Sequence, residues 1–138
     1  DFIHDRAERS GVYLGCYQKN VTQWLDAEGI FEAARLMAAA LETARAEEAA
    51  DPVGRKGLSD KVLRAKLAID HVLLINDPML RQHAVNAGKP FPGAPDFPTA
   101  ARAWIAACER FNVKAYCETT SEATFTTYKK ALLERSQK

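Results

Sequence analysis

Apolar residues recur at helical spacing along most of the chain, and the clearest helix begins after Asp26, a good N-cap. From there Ile30, Ala34, Met37, Leu41 and Ala44 step by four, three, four and three residues along one face. Glu32, Arg35, Glu42, Arg45 and Glu47 occupy the opposite face, and Asp51-Pro52 ends the pattern because proline cannot extend the hydrogen-bond ladder. After a glycine-bearing turn, VGRKGLS, a further helix is expected from Ser59, its expected N-cap. Val62, Ala65, Ile69 and Val72 form one apolar row, and Leu63, Leu67 and Leu74 widen it to nearly half the circumference. Such a helix is expected to be central, packed on two sides.

Asp77-Pro78 reads as a new N-cap with proline at the first helical position, so Met79 to Ala87 is expected to form a short helix closed by Gly88. Residues 88–98, GKPFPGAPDFP, hold four of the six prolines and are expected to be a loop pinned by Phe91 and Phe97. Another helix is expected from Thr99 to Arg110, with Ala101, Trp104, Ile105 and Cys108 facing inward. Thr119 to Ser121 caps a last helix whose buried row is Phe125, Tyr128 and Leu132. At the other end, Phe2, Ile3, Arg6, Ala7 and Arg9 read as the final turns of a helix closing at Ser10-Gly11.

Only Val12 to Tyr17 (VYLGCY) and Val113 to Glu118 (VKAYCE) read as strands. A lone strand leaves backbone groups unpaired, so these two pair with each other or extend a sheet elsewhere. The expected fold is therefore mainly α: an irregular bundle of five to six helices with two short strand-like segments near its ends. Residues 1–138 are expected to be a single helical domain. With a helix read as already under way at Asp1, the chain is expected to be a fragment of a larger multidomain protein.

Composition narrows the function classes without choosing one. Hydrophobic residues make up 47% and charged residues 27%, as in folded proteins, and the net charge is only +1. No basic stripe coincides with exposed aromatics, which speaks against nucleic acid as a partner. No apolar run approaches the roughly 20 residues of a membrane span.

Candidate chemistry is sparse. The sequence has no GxSxG, GxGxxG, P-loop, HExxH or EF-hand pattern. Cys16, Cys108 and Cys117 lack CxxC spacing, and His4, His71 and His83 do not complete a zinc pattern, so no metal or cofactor is expected. Pairing of the strand-like stretches would bring Cys16 near Cys117, where a bridge would need an oxidising compartment. His71 is expected to be a core or boundary residue, and His83 and His4 to lie on the surface. Tyr13, Tyr17, Gln18, Asn20 and Trp24 form the best cluster for ligand contact, because flat rings with polar edges suit a sugar. The same residues equally suit a seam against a neighbouring domain.

The order of these features resembles a known family. A helix end RAERSG, the strand GVYLGCY and the segment WLDAEGIFEAARLMAAALETARAE are followed by KVLRAKLAIDHVLLI and, later, by FNVKAYCE. Together they resemble the helical region that follows the catalytic barrel in large bacterial glycoside-hydrolase-like proteins. That family includes endo-β-N-acetylglucosaminidases of glycoside hydrolase family 163. The match is densest at Val62, Arg64, Ala65, Lys66, Leu67, Asp70, Val72, Leu73 and Leu74. Family catalytic carboxylates lie at the strand ends of a (β/α)8 barrel, which these residues do not include. The resemblance thus implies a non-catalytic accessory domain that packs on the barrel, shapes one wall of a glycan cleft and belongs to a secreted or periplasmic glycoside hydrolase. Tyr13, Tyr17 and Trp24 would then meet barrel or glycan. The competing expectation is a free-standing helical protein-interaction module.

Overall fold

A computed structural model describes residues 26–115 and 121–137. Those residues are mainly helical. The helices are α1 (Ala27–Ala50), α2 (Leu58–Ile75), α3 (Asp77–Asn86), α4 (Phe97–Arg110) and α5 (Glu122–Arg135). They fall into two compact units, one running from Glu28 to Gly93 and the other taking in the residues from Ala94 onward.

In the first unit the α1 stripe is realised. Ile30, Ala34, Leu41 and Ala44 are buried and Met37 is half-buried. The first turns bury more than the stripe, adding Gly29, Phe31 and Ala33. The exposed face carries the pairs Glu32–Arg35 and Glu42–Arg45, which contribute little in water.

The turn after α1 is held by its own backbone and by Asp51, whose Oδ1 accepts from the Gly54 N–H at 2.8 Å. The start of α2 departs from the expectation that Ser59 is the cap. Helix α2 begins at Leu58, and Glu48, in the last turn of α1, accepts from the Gly57 N–H at 2.7 Å and the Ser59 N–H at 3.1 Å. The Ser59 hydroxyl also donates to Glu48. A carboxylate at a helix N-terminus satisfies orphan donors and meets the positive end of the helix dipole. These hydrogen bonds, the Ser59 hydroxyl foremost, hold the Glu48 carboxyl below its ordinary pKa.

Helix α2 also departs from the central position expected for it. Only Ile69, Leu73 and Leu74, near its C-terminal end, are buried. Val62, Leu63, Leu67 and Val72 are half-buried and Ala65 is exposed. Its break from α3 falls at Asn76, because Pro78 has no N–H to offer the Leu74 carbonyl. Asn76 Nδ2 donates instead to the Val72 carbonyl at 2.9 Å. Asp77, expected to be an N-cap, lies within the first turn of α3. It is 95% covered and accepts from Arg81 Nε at 2.9 and 3.1 Å.

Helix α3 ends in a Schellman motif. Gly88 takes a left-handed φ of 61°, its N–H donates to the Val85 carbonyl, and the Lys89 N–H donates to that of Ala84. Gly88→Ala is expected to destabilise the protein by about 1 kcal/mol, since only glycine takes this conformation without strain. Chemical denaturation of the variant beside the parent measures the loss.

The second unit is built on α4 and α5. Asp96 caps α4, its Oδ1 accepting from the Thr99 N–H at 2.7 Å. Phe97 and Pro98, expected to close the loop, therefore open the helix, where proline is tolerated. Ala101, Trp104, Ile105 and Cys108 are buried, as the spacing requires. A second Schellman motif ends α4. Asn112 stands in the left-handed position (φ 51°), and the Val113 N–H donates to the Cys108 carbonyl at 2.8 Å. Ser121 caps α5 by accepting from the Thr124 N–H at 3.1 Å.

Trp104 meets Phe125 and Tyr128 edge-on, with ring centroids 5.9 and 6.1 Å apart. The Arg135 guanidinium lies 4.1 Å from the Phe97 ring centre, and Lys129 pairs with Glu109. Early α4 thus faces late α5, so the two helices run antiparallel.

The strand expected at Val12 to Tyr17 lies outside the described residues. Of the second strand-like stretch, Val113 to Ala115 take no regular secondary structure, and the remainder lies outside the described residues.

Candidate functional site

The ligand-contact cluster read from the sequence, Tyr13, Tyr17 and Trp24 with Gln18 and Asn20, lies outside the described residues, as do His4, Cys16 and Cys117. The described residues bring together a different group, around the first turn of α1 and the end of α3.

Glu28, half-buried in the first turn of α1, has two partners. Its Oε1 lies 3.0 Å from His83 Nε2, and its Oε2 accepts from Lys89 Nζ at 2.8 Å. The Lys89 hydrogen bond, then that of His83, holds the Glu28 carboxyl below its ordinary value. The Phe31 ring meets His83 edge-on at 5.8 Å and Phe91 edge-on at 5.9 Å. Arg81, already bonded to Asp77, places its guanidinium 4.2 Å from the Phe91 ring centre. Phe91 therefore pins the start of the proline-rich loop, as Phe97 is pinned further on. Gly93 lets the loop pass, because a Cβ there would come within 2.5 Å of the Phe91 ring.

His83 lies at the surface, as expected, its side chain 39% exposed, and it has a partner there. Its partner Glu28 lies 55 residues away, a separation that helical periodicity does not report. Chemically the group is a clasp. Each carboxylate is matched to a cation, and the Phe91 ring and the His83 imidazole pack against Phe31. Among the described residues no three His, Cys, Asp or Glu side chains converge in a way that could hold a metal ion.

The remaining titratable groups of interest are separate from the clasp. His71 is half-buried on α2, and burial pushes its pKa down. Cys108 is a buried free thiol whose pKa burial pushes up to about 11. Its thiolate is scarce at neutral pH and its sulfur is covered, so it is expected to react far more slowly than a free model thiol. A timed reaction with a maleimide, in a Cys16→Ser/Cys117→Ser variant, reads this directly.

The clasp also fixes a pH dependence. A carboxyl with a lowered folded pKa stabilises the fold above its ordinary value of 4.5, and that stabilisation is lost as pH falls through the folded value. Glu28→Gln is therefore expected to lower the thermal midpoint at pH 7, and the gap from the parent is expected to close toward pH 3. Melting curves across that range provide the check.

Outside the clasp, the first unit leaves large apolar side chains in water. Leu36 on α1, Ile75 on α2, and Met79 and Val85 on α3 are 45%, 48%, 48% and 74% exposed. On α2, Val62, Leu63, Leu67 and Val72 are half-buried. No helix among the described residues is long and apolar enough to cross a membrane.

In comparisons with known proteins, no family model, curated protein or solved structure matches the chain.

Proposed function

We propose that this chain is a non-catalytic helical accessory domain of a carbohydrate-active enzyme, a glycoside hydrolase on whose catalytic barrel it packs and whose substrate cleft it helps to line. The observation that carries the reading is the incomplete cover of α2. Its sequence devotes nearly half its circumference to apolar residues, yet only Ile69, Leu73 and Leu74 are buried. Single exposed apolar residues are ordinary on any protein. A helix apolar over so wide an arc, half-buried along most of it and fully buried only near one end, fits a surface that docks. The resemblance supplies the partner, and its densest segment, Val62 to Leu74, is this same helix.

On this reading the parent protein is bacterial and secreted or periplasmic. Tyr13, Tyr17 and Trp24 meet the barrel or a glycan. Chemistry is left to carboxylates elsewhere in the parent protein.

A free-standing interaction module is the second reading. Met79 and Val85, exposed on α3, lie outside the segments that carry the resemblance, and they favour a partner of some other kind.

Methionine-oxidation footprinting at Met79, with amide exchange along α2, tests both readings. In the full product of the gene, the accessory-domain reading expects the first turns of α2 to be protected relative to the isolated chain. Equal exchange there in the two samples overturns it. Protection that grows with the concentration of the isolated chain transfers the surface to a second copy and supports the module instead.

A further inference from the structure

We draw no further inference here: the strongest candidate, the surface of the first unit that exposes Leu36, Ile75, Met79 and Val85 on α1, α2 and α3, carries nothing beyond the docking already proposed, because nothing in the structure shows what covers it.

Discussion

Replacing Phe31 by alanine is expected to destabilise the protein by about 3–5 kcal/mol, the usual cost of emptying a buried phenylalanine site. Phe31 is 2% exposed and lies between the His83 imidazole and the Phe91 ring. Truncation removes the surface against which both rings pack. It also undercuts the Glu28 clasp, since His83, which bonds Glu28, packs against the Phe31 ring. Against a total stability of about 5–15 kcal/mol, the loss is a large share of what holds the chain folded. Urea denaturation followed by far-ultraviolet circular dichroism measures it. A loss below about 1 kcal/mol contradicts the placement of Phe31 at the centre of this unit. Phe31→Leu, which keeps most of the volume, is expected to lose markedly less.

The second large effect is expected at Trp104, on the other unit. Trp104→Ala removes the ring that Phe125 and Tyr128 meet edge-on, and a loss of about 3–5 kcal/mol is expected. Trp104→Phe keeps an aromatic edge for both partners and is expected to recover part of that loss. Far-ultraviolet denaturation suits this pair too, because Trp24 would complicate a fluorescence signal. Equal stabilities for the alanine and phenylalanine variants would show that ring geometry at this position contributes nothing.

These two residues differ in how openly the sequence announces them. Trp104 sits on the stripe Ala101, Trp104, Ile105, Cys108, and all four are buried, because a short helix packed along one face follows its period closely. Phe31 is one residue off the Ile30 stripe, and its cover comes from His83 and Phe91, far along the chain. Periodicity identifies the side a helix can bury. It does not report how much cover the neighbours supply, and α2 shows the consequence: a broad apolar arc with full burial only near one end.

Caps show the same division. Asp96 and Ser121 are both local caps, three residues from their donors; Ser121 is legible as one, whereas Asp96 is hidden among the prolines of an apparent loop. The cap of α2 is Glu48, reached across a turn, and Ser59 alone gave no sign of it. Gly88 was legible as a stop because its freedom at positive φ is intrinsic to glycine, whereas Asn112 fills the equivalent position after α4 with less advertisement. The aromatic cluster Tyr13, Tyr17 and Trp24 rests on residue chemistry alone and lies outside the described residues. The clasp of Glu28, His83 and Lys89 carries no spacing that sequence reading could have used.

In the proposed role these residues serve a glycoside hydrolase without performing its chemistry. The most direct test of that role is hydrolysis of N-glycan and β-N-acetylhexosaminide substrates by the 138-residue chain alone and by the full product of its gene, assayed side by side. The account predicts turnover by the full product and none by the chain alone, with turnover by the full product reduced by Tyr17→Ala or Trp24→Ala. Turnover by the chain alone, or a full product inert toward all these glycans, contradicts it.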